Sequence, residues 1–586
     1  MNRRLARCLP LLLALSPALL PLWQILHYGV DIPGWDQFDD DLAGLHIKAH
    51  AGAVTPTDLL AQHNEHRIAL PRLCYLFLGR LTSGNAVAEM LAGWGLALAT
   101  SLLLLGLLRR TRPNPVTEDR TQPRPGILWF LLNLLVFSPA QAENWLWGMG
   151  LANLMPMFWT TAAILVATTR LAPGVKLGLV AAGCTAATLS SGNGMLAWGL
   201  AGTVLLGTPG PRPTRVRTAL LLAGAAALVA AAYFWNLAPP HHRGGTPYGA
   251  PLFEKINYTF AFLGSPFARA ADAPPAATAT ATGLLSCALI MACLLRCRRP
   301  EHGERLQRAL PWLAIAGFAV GSAALAAHAR AQLGTTQAIS SRYVSFALYL
   351  PAALVVLVPL LEPWKLVPSR LRPGPARAVT IGGTVLVLLS CAIVPSALRL
   401  SGETETNRRR VRAVAAFAPV LPGHPAIAAL VFPDTEVAER NLRGLDAIGY
   451  LRPRLIHSDD ASVRAVALPA GTEVGRLEQA RQIGPDEVAL AGWAALPPEA
   501  GRVDLVAICA TDAHGSPRIV NIAPIDTPRP DKRAALGPAA AACGWGLHAP
   551  LSDLLHGRSQ ATLTAWAYDG ERGALYPLTG TATLRR

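Results

Sequence analysis

Charged residues are scarce in this sequence. Asp, Glu, Lys and Arg make up 15% of the 586 residues, whereas 52% are hydrophobic. A chain of this length and composition is too apolar for a soluble protein and too long for a single domain. Its apolar residues recur in runs of roughly 17–23 residues, the length of a helix that crosses a bilayer. The sequence therefore predicts a polytopic α-helical membrane protein.

Common metal-binding and redox motifs are missing. No Cys-x-x-Cys pair occurs among the nine cysteines, and the densest histidine cluster lacks the His-Glu-x-x-His spacing of a zinc peptidase. Seven cysteines lie in or beside apolar runs, where a thiol usually packs as a small hydrophobe. Only Cys509 and Cys543 fall in the predicted outer domain, and we expect them to form a disulfide there.

Basic residues outnumber acidic ones by 52 to 36, which gives a formal net charge of +16. They cluster in short loops between apolar runs, at residues 109–112, 212–217, 296–308 and 365–377. Such loops are the topology signal of an inner-membrane protein and not a phosphate-binding patch. We therefore expect no nucleic-acid partner.

The positive-inside rule also sets the expected orientation. Arg3, Arg4 and Arg7 precede the first apolar run, which lacks a clear cleavage site, so we expect a retained helix and a cytoplasmic N-terminus. An odd number of spans then places the C-terminus outside a bacterial inner membrane. The eleven predicted spans are at about 9–28, 86–108, 126–138, 151–169, 175–190, 195–207, 218–236, 282–296, 309–328, 343–361 and 378–397.

Three regions are expected along the chain. Residues 1–400 form the membrane domain, with long outer loops at 29–85 and 236–282. Residues 401–485 are read as a periplasmic α/β linker segment, with a helix over 411–417, a strand over 428–432 and a helix ending near 445. Residues 486–586 show short strands separated by Gly, Pro and Asp turns, which predicts a small antiparallel β-sandwich.

The first outer loop carries two polar motifs. Asp36 follows Trp35 soon after the first span, and Asp39, Asp40 and Asp41 begin a helix predicted to run to about residue 51. Capping explains the last three well, which leaves Asp36 as the candidate for chemistry. Further on, Glu65 is placed to pair with Arg67, and two histidines flank it. A salt-bridged loop and an acid–base or metal site are both open interpretations of the run Gln62-His63-Asn64-Glu65-His66-Arg67.

Two later turns are also polar. Glu143 stands beside Trp145 and Trp147, whose rings suit either sugar stacking or the aromatic belt at a membrane interface. An ionisable group at membrane depth usually has a partner or a role. The turn Ser190-Ser191-Gly192-Asn193-Gly194 interrupts an apolar run, either as a plain turn or as a piece that lines a cavity.

Arginines stand at the outer end of the ninth and tenth spans. The fork of an arginine donates two parallel hydrogen bonds to a phosphate. Snorkelling to the interface explains Arg330 better than Arg342, which lies in the polar run Ser340-Ser341-Arg342-Tyr343. The loop at 236–282 contains His241 and His242, a weak metal signal.

These blocks together resemble a group of largely uncharacterised bacterial polytopic proteins, similar in layout to GT-C type glycosyltransferases. The resemblance covers about residues 5–400. The blocks that carry it are Trp35-Asp36-Gln37-Phe38, Gln62-His63-Asn64-Glu65-His66-Arg67, Glu143-Asn144-Trp145-Leu146-Trp147-Gly148, Ser190-Ser191-Gly192-Asn193-Gly194 and Ser340-Ser341-Arg342-Tyr343.

The resemblance implies a sugar donor linked to polyprenyl phosphate, used at the outer face of the membrane. By position Asp36 matches the catalytic carboxylate, with Glu65 and His66 assisting it. Arg342, Tyr343 and Arg67 are then expected at the donor phosphate. The residues expected to bind substrate are Glu143, Asn144, Trp147 and Asn193.

The expected function is a membrane glycosyltransferase acting on a cell-envelope glycan, lipid or protein acceptor. It needs no nucleotide cofactor, and a divalent metal is compatible with the carboxylates. A transporter or flippase for a lipid-linked glycan is the alternative, and a non-catalytic assembly protein that binds glycan is the third. A transporter concentrates ionisable residues near the midplane of its spans, whereas here they stand at the outer ends.

Overall fold

We describe the chain from a computed structural model, which covers residues 10–112, 123–238, 249–270, 273–297, 303–368, 370, 374–467, 469, 471–497, 501–511, 515–537 and 540–586. Arg3, Arg4, Arg7, His241 and His242 lie outside these residues. The described chain is mostly helical, with a sheet region near the C-terminus. It forms two compact units. The first contains Met1–Gly29, Thr55–Tyr75 and Val87–Thr404, and the second contains Val30–Val54, Leu76–Ala86 and Glu405–Arg586.

The helices define a multi-pass membrane protein. Across the described residues, nine helical segments are long and apolar enough to cross a bilayer. Each coincides with one of the predicted spans. Their bounds are Pro10–Tyr28, Ala86–Thr111, Pro125–Trp145, Gly150–Ala167, Arg212–Phe234, Pro275–Cys297, Gly303–Leu333, Ser341–Leu361 and Ala376–Ala416.

Two of the eleven predicted spans are helices shorter than the hydrocarbon core of a bilayer. Pro173–Thr188 has 16 residues and Leu196–Gly207 has 12, so at 1.5 Å per residue the second is only about 18 Å long. A short 3₁₀ turn, Gly192–Met195, joins them. The bilayer core is about 30 Å thick, and neither helix spans that thickness alone. The structure therefore supports nine of the eleven spans as membrane-crossing helices.

Shorter helices lie between these spans in the sequence or follow them. Leu252–Gly264 is the longest in the region between the spans that end at Phe234 and begin at Pro275. The others are Leu45–His50, Pro56–Leu60, Ala69–Thr82, Thr335–Ala338, Thr435–Ala447, Pro530–Leu536 and Leu551–Leu555.

The helices of the first unit differ in how deeply they are buried. Apolar side chains of Ser341–Leu361 are almost all enclosed by other helices, and Trp312 and Phe318 pack in the same core. Arg212–Phe234 and Pro275–Cys297 instead leave most of their apolar side chains exposed, as at Leu228. Exposed apolar surface of this kind on a helix of spanning length faces lipid. The central helices therefore form the protein core and the outer ones its lipid-facing rim.

The second unit contains one curled sheet. The first unit holds a two-stranded hairpin of β1 (Gln62–His63) and β2 (His66–Arg67). The strands of the sheet are β3 (Gly475–Gly484), β4 (Glu487–Ala494), β5 (Leu505–Thr511), β6 (Pro517–Thr527), β7 (Gly544–Pro550), β8 (Gln560–Asp569), β9 (Ala574–Pro577) and β10 (Ala582–Arg585). Their order across the sheet is β10-β8-β5-β6-β7-β4-β3, and β9 also pairs with β8.

The sheet curls into a half-barrel, where two stacked sheets were expected. Leu477 N–H, in β3, donates to the Thr579 carbonyl, and Thr579 N–H donates to the Gly475 carbonyl. These bonds bring β3 to the chain that links β9 and β10. The strong twist of antiparallel strands allows one sheet to curl around its own core in this way. Buried and exposed residues alternate along β4 and β8, as the sequence pattern predicts.

Two local expectations for the second unit are wrong. The strand expected over 428–432 is a single π-helical turn, Ile427–Val431, because its two buried side chains lie four residues apart on one helix face. The expected disulfide is absent, since Cys509 and Cys543 are both free. Cys509 packs in the core that contains Phe417, whereas Cys543 packs beside Trp493 in a separate cluster.

Candidate functional site

A tight hairpin presents the histidine and glutamate cluster in the first unit. Strands β1 and β2 pair antiparallel, with His63 opposite His66. Only Asn64 and Glu65 connect them, and Asn64 adopts a left-handed backbone (φ +48°), which asparagine tolerates better than most residues. Glu65 therefore stands at the tip of the hairpin.

Arg67 fastens the hairpin to its surroundings. Its guanidinium donates to the backbone carbonyls of Leu60, Tyr233 and Trp235. The Arg67 N–H donates to the Tyr233 hydroxyl at 3.1 Å. The Arg67 guanidinium thus lies on backbone carbonyls, whereas a pairing with Glu65 was one interpretation of the sequence. Because three carbonyls engage the guanidinium, Arg67 fixes the position of the hairpin and is not available as a phosphate ligand in this arrangement.

Glu65 pairs with Arg330 across 265 residues of sequence. Arg330 Nη2 lies 2.9 Å from both carboxylate oxygens, and the two side chains are 13% and 24% exposed. Burial alone would raise the pKa of Glu65, but the positive charge of Arg330 and its hydrogen bonds outweigh burial and lower the pKa below its usual value. Glu65 is therefore ionised at neutral pH.

His66 is neutral in the same cluster. Burial lowers its pKa to about 4, since nothing nearby compensates fully for the loss of hydration of the charged ring. The Gly192 N–H donates to His66 Nδ1 at 3.3 Å. A Cβ at residue 192 would lie 2.8 Å from that nitrogen, so only glycine leaves room for the ring. An acceptor at Nδ1 assigns the proton of the neutral ring to Nε2.

A tyrosine joins Arg330 to the next group of side chains. Arg330 Nη1 donates to the Tyr343 hydroxyl, and Gln337 Nε2 donates to the same oxygen at 2.7 Å. The hydroxyl of Tyr258 donates in turn to Gln337 Oε1. Phe262 stacks on the Tyr343 ring with centroids 5.4 Å apart. The helix Leu252–Gly264 thus holds the tyrosine from one side through two of its aromatic residues.

A second arginine lies on the same tyrosine. The Arg342 guanidinium carbon is 5.5 Å from the centre of the Tyr343 ring, and that of Arg330 is 6.0 Å from it. Arg342 pairs with Glu143 at 3.3 Å, and the Ser341 hydroxyl donates to the same carboxylate at 3.3 Å. Two arginines, each with its own carboxylate, therefore lie close to one aromatic side chain.

The other residues expected to bind substrate are mainly enclosed. Asn144 Nδ2 donates to the Arg342 carbonyl and the Ser345 hydroxyl, and so fixes the backbone of Arg342. Asn193 Nδ2 donates to the Ser322 hydroxyl at 3.1 Å. The Trp147 side chain is buried, as is Trp145, which leaves little ring surface for stacking on a sugar or for a membrane belt.

Asp36 belongs to the second unit. It lies half-buried in the 3₁₀ turn Trp35–Phe38. Asp39 caps the following turn through a 2.7 Å bond from the Asp40 N–H, and Asp40 pairs with Arg440. The expected capping role is thus confirmed for Asp39, while Asp40 is a partner of the helix Thr435–Ala447.

Sequence reasoning missed three members of the site in the first unit. Snorkelling is the expected role of Arg330, and Tyr258 and Gln337 are not among the residues expected at the site. A signal was present, because an arginine at the end of an apolar run calls for a buried acidic partner. Among the described residues, no three His, Cys, Asp or Glu side chains converge as a metal site would require. Comparisons with protein families, curated proteins and solved structures find no match to this chain.

Proposed function

We propose that this protein is a membrane glycosyltransferase that moves a sugar from a polyprenyl-phosphate carrier to a cell-envelope acceptor. The observation that carries the proposal is the convergence of Arg330 and Arg342 on Tyr343, within 6.0 and 5.5 Å of its ring centre, each paired with a partly accessible carboxylate. Both arginines stand at the ends of candidate spans.

The charges of this group suit a phosphate. The charges of the two guanidiniums and the two carboxylates cancel. An entering phosphate would therefore replace the paired carboxylate on one or both arginines. Arginine forms bidentate, charge-assisted bonds with phosphate, which are stronger than neutral hydrogen bonds. The pairs are only partly buried, and this lets the exchange occur without unpacking the core.

Apolar surface beside the group suits a lipid chain. Phe234 and Trp235 are largely exposed, and the backbone of Trp235 is held by Arg67 of the hairpin. Leu252 and Phe253 are also exposed, at the start of the helix whose Tyr258 engages Gln337. A ligand with an anionic head and an apolar tail matches this arrangement of charge and exposed apolar side chains.

The chemistry that follows is an inverting displacement. The acceptor hydroxyl attacks the anomeric carbon, the bond from that carbon to the phosphate oxygen breaks, and the phosphate leaves with the electron pair. Glu65, ionised and released by Arg330, takes the hydroxyl proton, and the guanidiniums stabilise the leaving phosphate. His66 orients the acceptor through Nε2. Asp36 is the competing base, as the resemblance implies.

The test uses full-length protein in nanodiscs with radiolabelled undecaprenyl-phosphate hexoses, and follows label into extracted envelope glycan. Arg330→Ala should lower transfer by about 10²-fold or more, the usual effect of removing a donor to developing charge. Arg308→Ala is the matched control, because Arg308 lies on the same helix with the exposed Glu304 as its partner. Normal transfer by Arg330→Ala would contradict the proposal.

Two further variants identify the base. Glu65→Gln abolishes transfer if Glu65 accepts the proton, and Asp36→Asn does so if Asp36 is the base. Transport of the lipid-linked sugar across the membrane without bond cleavage would support a flippase instead. Glycan binding without transfer or transport would support the assembly protein.

Orientation is part of the proposal. We infer a cytoplasmic N-terminus and an outer second unit from the arginine-rich loops. Fusions of a reporter active only in the periplasm at residues 115, 300 and 480 test it, and activity is expected at 480 alone. Activity at 115 or 300 would reverse the assignment.

A further inference from the structure

The segment around Trp35 is fixed at both ends in the second unit. Ile32 and Phe38 are buried in its core with Val30. Asn441 Nδ2 donates to the Phe38 carbonyl at 2.9 Å. Between these anchors Trp35 is 46% exposed. Trp35 is therefore held outward by a pinned turn.

The backbone at Trp35 is strained. Its φ is +47°, in the left-handed region that bulky residues seldom adopt. Such conformations persist where surrounding structure imposes them, and they recur at ligand clamps. An aromatic residue that only anchors a protein at the membrane surface does not need this backbone.

A buried arginine stands behind the turn. The guanidinium of Arg408 occupies the space beside Gly34, where an added Cβ would lie 1.5 Å from Nη1. Arg408 is 7% exposed. Any other residue at position 34 would push this guanidinium out, so Gly34 and Arg408 are fitted to one another directly before Trp35 and Asp36.

We propose that Trp35 and Asp36 form a saccharide-binding surface, with Arg408 as the positioning residue. The flat C–H face of a β-linked pyranose stacks on the exposed indole, and the Asp36 carboxylate accepts hydrogen bonds from ring hydroxyls. Arg408 holds the backbone at Gly34 so that the two side chains keep their spacing. This rests on the proposed function in one respect, since it assigns the surface to the glycan acceptor.

The test is ¹⁹F NMR of the full chain labelled with 5-fluorotryptophan in nanodiscs. The Trp35 resonance is the one lost in Trp35→Phe. The probes are cellotetraose and chitotetraose, whose equatorial substituents leave flat apolar faces. We expect the Trp35 resonance to shift saturably with at least one probe, and the resonance of Trp23, an exposed residue of the first span, to stay in place.

Two variants examine the assigned roles. Asp36→Asn should weaken saccharide binding by about tenfold, the effect of losing one charged acceptor. Gly34→Ala should displace Arg408 and move the Trp35 resonance before any saccharide is added. A Gly34→Ala spectrum identical to that of the unmodified protein would remove Arg408 from the site.

Other outcomes would overturn the proposal or separate it from the proposed function. A Trp35 resonance that is broadened by doxyl-labelled lipid and unmoved by both probes would make Trp35 a membrane anchor. Saccharide binding at Trp35 in a protein that transfers no sugar would retain the binding surface and reject the transferase. Sugar transfer that depends on Arg330, with no shift of the Trp35 resonance on adding saccharide, would retain the transferase and reject the binding surface.

Discussion

The two units use the same kind of ion pair for different ends. In the second unit Asp504 is 3% exposed and Arg409 is 11% exposed, and the carboxylate also accepts from the Gly570 N–H at 2.9 Å. In the first unit Glu65, Arg330, Glu143 and Arg342 are all more exposed. The enclosed pair links a helix to the sheet, whereas the more open pairs are the ones to which we assign phosphate binding.

The units also differ in what holds their helices together. Between membrane helices there is little hydrophobic drive, so close backbone packing through small residues takes its place. Gly283 and Gly264 show this, since a Cβ on Gly283 would lie 2.0 Å from the Phe260 carbonyl oxygen. In the first unit, then, close backbone packing contributes to stability where hydrophobic burial cannot.

The largest effect should come from the enclosed pair. Asp504→Ala leaves Arg409 without its main partner, and breaking a buried pair typically costs about 3–5 kcal/mol. Limited proteolysis and thermal unfolding of the purified protein should show the second unit opening at lower temperature. Asp459→Ala is the matched control, because Asp459 pairs with Arg518 at the surface. An equal loss for both variants would erase the contrast between buried and exposed pairs.

Next in size is the close helix contact of the first unit. Gly283→Val must push Leu252–Gly264 away from Pro275–Cys297, and overpacking of this kind costs about 1–3 kcal/mol. Transfer should fall as well, because Tyr258 and Phe262 position Gln337 and Tyr343. Gly224→Ala is the control, since nothing lies within 4 Å of a Cβ there. Unchanged activity and melting for Gly283→Val would refute the close approach.

Acid should weaken the second unit through His46. Its ring packs between Gly79 and Tyr450, and burial lowers its pKa to about 4. The unfolded chain, with a pKa near 6.5, binds the proton more tightly, so stability is lost as pH falls from about 6.5 to 4. The loss at pH 5 is roughly 1–2 kcal/mol. The melting temperature of His46→Phe should differ less between pH 7.5 and pH 5 than that of the unmodified protein. In the control His548→Phe, which replaces an exposed histidine, the difference should equal that of the unmodified protein.

The smallest effect should be the stability change of Glu65→Gln. Glutamine still accepts a hydrogen bond from Arg330, so thermal unfolding should shift by less than about 1 kcal/mol in free energy. A small change in stability together with a loss of sugar transfer would show that Glu65 serves activity and not stability. A destabilisation as large as that of Asp504→Ala would instead make Glu65 a structural residue.

Local patterns in the sequence predicted the helices well. Hydropathy located the nine membrane-length helices found in the described part of the chain, and alternation located most strands of the second unit. It failed at 428–432, where five apolar residues fit a strand or a helical turn equally well. The apolar runs predicted as spans at 175–190 and 195–207 form helices of only 16 and 12 residues, because the turn Gly192–Met195, which composition does not reveal, separates them.

The site was only partly predictable for a different reason. Glu65, Glu143, Arg342 and Tyr343 could be chosen one by one, as polar residues beside apolar runs. Their pairing could not, since Glu65 meets Arg330 from 265 positions away. Local chemistry did indicate Glu65 with Arg67, but three backbone carbonyls engage that arginine. Which partner wins is decided by tertiary packing.

The length of the hairpin that carries Glu65 determines which way its side chains point. Its two strands have two residues each, and successive side chains of a strand point to opposite faces. One residue added between Gln62 and Arg67 would turn Glu65 or His66 away from the cluster, although no residue of the site had been replaced. The length of this segment is thus as restrictive as its chemistry. A homologous protein could therefore carry other residues at several of these positions and keep the hairpin geometry, whereas an insertion or deletion between Gln62 and Arg67 would lose it.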